Sequence, residues 1–266
     1  MKLLGISSQR RQQLGQLLSQ TKSIITIDDT VHILSLPRRK AQWLLWSYSK
    51  SGWLKKIKSG TYISVPATAT TPEEALESPL LIATRLFDKG YIGGWTAAQH
   101  WGLTEQLFNK TWYFTTKNLK SKEVHFEKQE FMLTHIPESA MFGLKTIWDN
   151  NHKITMSDPH RTVIDFAHRI DLFGLNAFLD ILRAYMSSEH KKTNLLLEYT
   201  HQIANRTIYK RLGFALEHLG IQDDKVVSIC KKSISKGLSK IAPQLPCPKV
   251  NKRWNLYIPE GLIKRD

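Results

Sequence analysis

Leu14, Leu17 and Leu18 recur at helical spacing within residues 8–19 and predict a short amphipathic helix. An extended run follows from Ser23 to Ile27. Val31, Ile33 and Leu34 then mark a second helix, with Asp28 and Asp29 as candidate N-caps. Leu36-Pro37 breaks that helix, and Pro37 suits the first position of a third. On the third helix Ala41, Leu44, Leu45 and Tyr48 share one face. Arg38, Arg39, Gln42 and Trp43 fall on the opposite face, and Trp46 lies near it. Gly52 is placed to close the helix in a left-handed conformation. Two extended runs, Trp53–Lys58 and Thr61–Val65, are joined by a tight turn containing Gly60.

Helix, short strand, helix, helix and hairpin is the order of a winged helix-turn-helix, assigned here to residues 1–66. Residues 66–72 read PATATTP, small, polar and bounded by proline, so a linker is placed at 67–77. The second domain, 78–266, opens with a helix over Ser78–Lys89, an extended Tyr91–Gly94, and a short helix over Trp95–Trp101 ended by Gly102. Strand patterns follow at Thr111–Thr116, Glu123–Phe131, Met132–Ile136 and Ile154–Met156. The period then turns helical at Pro159–Arg169, Leu175–Met186, Leu195–Ala204 and Thr207–Leu219, with Gly220 closing the last helix. One further strand is predicted at Trp254–Ile258. The chain therefore reads as α+β, a winged helix-turn-helix followed by a larger mixed α/β C-terminal domain.

Charge adds a partner to this picture. The 266 residues carry a formal net charge of +15, and it is unevenly spread. Residues 1–66 hold 11 Lys/Arg against 2 Asp/Glu, residues 67–225 hold 18 against 19, and residues 226–266 hold 9 against 2. Cations concentrated at both ends point to a polyanion, because neutralising phosphates releases counterions. Arg38, Arg39 and Lys40 crowd the first turn of the third helix, where the helix dipole favours acids. Phosphates or guanine edges would supply the missing negative charge, since a helix presents its N-terminal side chains to bases in the major groove. The candidate DNA contacts are thus Arg38, Arg39, Lys40, Gln42 and Trp43 on the helix, with Lys55, Lys56 and Lys58 on the hairpin tracking phosphate. Tryptophans such as Trp43 and Trp46 are, however, more often packing residues than base or sugar contacts. The basic segment 226–266 is either a second DNA contact or a solvated tail.

Catalytic chemistry is poorly supported. His100 and Glu105 flank a glycine break and make a weak metal pair. Ser157-Asp158-Pro159-His160-Arg161-Thr162 is explained by helix initiation, with Asp158 as N-cap and Pro159 at the first position. Asp165 and His168 are placed as a buried polar pair. Glu123, Glu127, Lys128 and Glu130 supply the residue types of a nuclease site only as an alternating charged strand, and no phosphate-binding glycine loop is present. No enzyme, cofactor or metal is expected. The two cysteines lie outside any CxxC spacing, and no apolar run approaches the length of a membrane span, so a reducing cytoplasm is the expected compartment.

Several segments together resemble the AbiEi-type antitoxins of type IV toxin–antitoxin and abortive-infection systems. They are GWLKKIKSGTYISVPA at 52–67, SPLLIATRLFDKGYIGGWTAAQHWGLTEQ at 78–106, MSDPHRTVIDFAHR at 156–169, NRTIYKRLGFALEHLG at 205–220 and RWNLYIP at 253–259. The resemblance implies a winged helix that binds inverted repeats in double-stranded DNA at its own promoter and represses it. It also implies a C-terminal domain that counters a nucleotidyltransferase toxin without a stable antitoxin–toxin complex. Half-sites of such an operator suit a preformed dimer or cooperating monomers. A winged-helix regulator with an effector-binding or dimerisation domain and no toxin partner is the alternative.

Overall fold

A computed structural model describes residues 5–21, 24–65, 78–87, 89–119, 121–126, 128–149 and 152–262. The predicted linker at 67–77 and Glu127 lie outside these residues. Two compact units divide after Leu86. Helices combined with mixed sheets make the chain α+β, as the hydrophobic pattern predicts.

The first unit runs α1 (Ser8–Thr21), β1 (Ile24–Thr26), α2 (Ile27–Leu34), α3 (Arg38–Lys50), β2 (Leu54–Lys58) and β3 (Thr61–Ser64), and it includes all but the last residue of α4 (Pro79–Phe87). Its small sheet has the order β1-β3-β2, all antiparallel. The core gathers Leu14 and Leu17 of α1, Ile25 of β1, Leu44, Leu45 and Tyr48 of α3, and Leu54 and Tyr62 of the hairpin. Each such apolar side chain removed fully from water contributes about 1.5–3 kcal/mol. The Tyr48 hydroxyl also donates to the Arg10 carbonyl at 2.7 Å, tying α3 to the start of α1.

The cap of α2 differs from the expected Asp28 or Asp29. Thr26 takes it, because the last residue of β1 already has the extended backbone an N-cap requires (φ −103°, ψ 165°). Its Oγ1 accepts from the Asp29 N–H at 3.1 Å, and Asp29 Oδ2 accepts from the Thr26 N–H at 2.8 Å. The acids instead occupy the first turn, where the helix dipole favours them. Pro37 likewise sits just before α3, as its N-cap. At the other end of α3 the Trp53 N–H bonds the Tyr48 carbonyl at 3.0 Å and the Gly52 N–H bonds that of Ser49 at 3.2 Å. This double bond pattern needs the left-handed Gly52 (φ +82°) and turns the chain directly into β2.

The second unit begins with β4 (Gly90–Ile92), α5 (Gly94–His100), β5 (Lys110–Thr115), β6 (Glu123–Phe126), β7 (Gln129–His135), β8 (Leu144–Asp149) and β9 (His152–Ser157). Helices follow: α6 (Pro159–His168), α7 (Ile170–Phe173), α8 (Leu175–Ser187), α9 (Thr193–Gln202), α10 (Arg206–His218) and α11 (Asp224–Ser233). Short strands β10 (Ser239–Lys240), β11 (Lys249–Asn251) and β12 (Leu256–Ile258) end the series. The main sheet has the order β6-β7-β5-β4-β9-β8, with β7-β5 and β4-β9 parallel and the other pairs antiparallel. Residues 159–167 of α6 are buried throughout, and α5, α8, α9 and α10 pack around that helix.

Two expectations change here. The break between the strands after residue 123 falls between Phe126 and Gln129, not after Phe131, because Phe131 pairs with Val124 and Thr111 in mid-sheet. The basic segment 226–266 is no tail over its described part. Helix α11 and the sheet β10-β12-β11 fold against the core, anchored by the fully buried Trp254.

Candidate nucleic-acid interface

Helix α3 presents its two faces as the spacing predicts. Ala41, Leu44, Leu45 and Tyr48 are buried, and Arg38, Arg39, Lys40, Gln42, Trp43, Trp46 and Lys50 are exposed. The buried Tyr48 anchors the inner face, and burial pushes its phenol up to about 12 despite the nearby Arg10 cation. Five of the outward residues, Arg39, Gln42, Trp43, Trp46 and Lys50, recur at intervals of three or four and so form one stripe along the helix.

The stripe mixes cations with aromatic rings. Trp43 is 54% exposed and Trp46 51%, so neither is the packing residue its type suggests. The Arg10 guanidinium lies 5.1 Å from the Trp43 ring centroid and the Lys50 ammonium 5.9 Å from that of Trp46. Arg10 also donates to Ser47 Oγ at 3.3 Å, which brings a cation of α1 onto the α3 surface. Sequence reasoning left out Arg10 and Lys50, and it set Trp46 near this face without counting it among the candidate contacts. The last two were visible in the spacing from Arg39, whereas Arg10 reaches the stripe only through the packing of α1 on α3.

The other basic candidates differ in how far they are committed. Arg38 forms an exposed ion pair with Asp28 of α2, so one cation of the crowded first turn already has a protein partner. Arg39 and Lys40 are exposed, and α3 has neither an acid in its first turn nor a side-chain cap. On the hairpin Lys56 is exposed, while Lys55 and Lys58 are half-buried. The Lys58 ammonium donates to the carbonyls of Arg85 at 2.6 Å and Leu86 at 3.1 Å, satisfying the open C-terminal end of α4. Gly60 (φ +77°) makes the turn, and its carbonyl accepts from the Ile27 N–H at 3.0 Å, which fixes the hairpin tip to the start of α2.

In the second unit the residues that suggested chemistry are either built into packing or stand apart at the surface. Asp158 caps α6 through the Arg161 N–H at 2.8 Å and accepts from the Tyr199 hydroxyl at 3.0 Å. Burial opposes its charge, but these bonds and the His160 imidazole at 3.4 Å hold its carboxyl below the usual range. The buried Arg161 bonds Asp165 at 2.8 Å, the carbonyls of Ala140 and Phe142 at 2.8 and 3.2 Å, and the Tyr91 hydroxyl at 3.0 Å. Asp165 therefore pairs with Arg161 and Tyr91 rather than with His168. Glu123 and Glu130 lie at the sheet surface, both on Lys110, and do not join Asp165. His100 is exposed, edge-on to Trp101 at 4.6 Å. Within GWTAAQHWGLTEQ, Trp95 packs on Phe108, Phe166 and Phe173, and Trp101 Nε1 donates to the Ser157 carbonyl at 2.7 Å. Among the described residues no helix is long and apolar enough to cross a membrane.

Neither a protein-family model nor a curated protein sequence matches this chain at a significant level.

Proposed function

We propose that the first unit is a winged helix-turn-helix that binds double-stranded DNA through α3 and the β2–β3 hairpin, and that the protein represses its own promoter and acts as an antitoxin. The observation that carries the DNA reading is the outward stripe of α3. Arg39, Lys40 and Lys50 flank two half-exposed tryptophans on a helix whose opposite face is locked into a core. Exposing two indoles to water is unfavourable without an occupant, and cations beside them suit a polyanion with apolar surface. Arg39, Lys40, Gln42 and Trp43 are assigned to the groove, and Lys56 to the phosphate backbone. Lys58 serves chiefly to hold α4.

The antitoxin half rests on the resemblance carried by residues 78–106, 156–169, 205–220 and 253–259. In the second unit those residues form packing cores, so no single side chain is assigned to toxin antagonism. Coexpression tests it. The chain is expected to restore growth to cells poisoned by a nucleotidyltransferase toxin of the kind the resemblance implies, without co-purifying with that protein. Failure of rescue by folded, DNA-binding protein refutes the antitoxin half alone.

A second reading, a regulator controlled by a small effector, is favoured by a cleft of about 720 Å³ beside β5 and β7. Trp112, Leu119 and Leu172 give it apolar walls, Lys122 gives it a cation, and Arg169 lines it paired with Asp171 at 3.0 Å.

A further inference from the structure

The main sheet has two edges of different character. At one, β6 carries the exposed Glu123 and His125, the kind of charged edge that resists pairing with another chain. At the other, β8 reads Leu144-Lys145-Thr146-Ile147-Trp148-Asp149, with Thr146 exposed and Trp148 64% exposed. Strand β9 pairs along one side of β8, and among the described residues no strand pairs along the other.

We propose that β8 pairs antiparallel with β8 of a second copy of this chain, about a two-fold axis at Ile147. The strand is complementary to itself in that register. With Ile147 opposite its copy, Lys145 falls opposite Asp149 and Asp149 opposite Lys145, so two opposite-charge pairs form on one face. On the other face Thr146 falls opposite Trp148, again twice, and gives each exposed indole a β-branched neighbour. Moving the axis to Thr146 places Lys145 opposite Ile147, and moving it to Trp148 places Asp149 opposite Ile147. Only the Ile147 register pairs both charges.

A second observation points the same way. Among the described residues Asp149 Oδ2 accepts no hydrogen bond, so this oxygen of the carboxylate has no donor in the single copy. In the paired strands the partner's lysine sets an opposite charge beside this carboxylate. The Lys145 ammonium now lies 5.4 Å from the Trp101 ring, a weak contact that leaves it available at the strand edge. The result is an isologous interface that joins two sheets into one. It goes beyond the DNA reading and does not depend on it, although a two-fold dimer is the geometry that inverted half-sites match.

Sedimentation equilibrium of the full chain tests the proposal, and a dimer that dissociates on dilution is expected. Lys145→Glu sets like charges opposite each other twice and should raise the dimer dissociation constant about tenfold. Adding Asp149→Lys restores the pairs in reversed sense and should return the constant towards that of the parent chain. The Trp101 contact is lost in both variants, so recovery reports the cross-strand charges alone. Ile147→Cys in a Cys247→Ser background should oxidise to a disulfide-linked dimer, whereas His125→Cys on the β6 edge should not. A chain that stays single at every concentration overturns the proposal. So does a dimer indifferent to Lys145→Glu, a folded double variant that fails to recover, or an uncrosslinked Ile147→Cys.

Discussion

Replacing Arg39, Lys40 and Lys56 together by alanine should change how DNA binding responds to salt by an amount that the structure sets. These three are exposed, and among the described residues none has a hydrogen-bond or ion-pair partner. Arg38, by contrast, is held by Asp28, and Lys58 by two carbonyls of α4. If each free cation neutralises one phosphate, the slope of log K against log salt should fall by about 0.9 per residue, or about 2.7 for the triple variant. The affinity gap between parent and variant should then shrink about forty-fold between about 50 and about 200 mM salt. Arg38→Ala should lower the slope by less than one contact, since its guanidinium is shared. Fluorescence anisotropy of a labelled duplex from the chain's own promoter, titrated across that range, measures both. The melting temperature should not move, because exposed side chains without partners change stability by about 0.5 kcal/mol or less. Trp43→Ala and Trp46→Ala should weaken binding while leaving the slope unchanged, since an indole neutralises no phosphate. A triple variant with the parent's slope refutes the assignment of these cations to DNA.

Arg161→Met should cost about 3–5 kcal/mol in denaturant unfolding, because it strands the buried Asp165 charge. The Ala140 and Phe142 carbonyls and the Tyr91 hydroxyl also lose their donor. A loss under about 1 kcal/mol would show that Asp165 is not held as a buried charge. Gly213→Ala in α10 sets two effects against each other. Alanine favours the helix interior by about 1 kcal/mol, but its Cβ would lie 2.0 Å from the Trp254 ring. That ring is fully buried and held by Glu217 at 2.6 Å, so it has no room to yield. Overpacking of about 1–3 kcal/mol should win, and Trp254→Phe should relieve part of it; a stabilised single variant would contradict this packing. Tyr48→Phe tests the alkaline limb. The folded phenol is raised to about 12 from 10.0, so its stabilisation is complete below pH 10 and is lost as pH rises towards 12. The variant should lose about 1 kcal/mol at neutral pH, with the bond to the Arg10 carbonyl, and show a flatter decline above pH 10. An unchanged alkaline decline would remove Tyr48 as its source.

Much of the local structure was legible because short-range patterns decide it. The face Ala41, Leu44, Leu45 and Tyr48 had only one side on which to bury, and Gly52 and Gly60 stand where left-handed backbone is needed. Asp158-Pro159 announced the start of α6 through cap chemistry alone. Strand β8 was not legible, since LKTIWD lacks clean alternation and an edge strand is half solvated on both faces. Helix α11 and strands β10 and β11 were obscured by the same lysines that made 226–266 read as a tail. Lysine covers apolar surface with its stem while its charge stays in water, so charge density did not exclude folding there.

Sequence alone determined the order of elements in the first 65 residues, the apolar and basic faces of α3, and the excess of cations at both ends. Each depends on residues within a turn or two of one another, or on a simple count. Tertiary structure decided which cations remain free, since Asp28 reaches Arg38 from α2 and the end of α4 reaches Lys58. It also decided that Trp43 and Trp46 face water, that Arg10 joins them, and that Asp165 belongs to Arg161. Partners distant in sequence meet only when helices and strands pack, and that packing assigns each charge either to the fold or to an open surface.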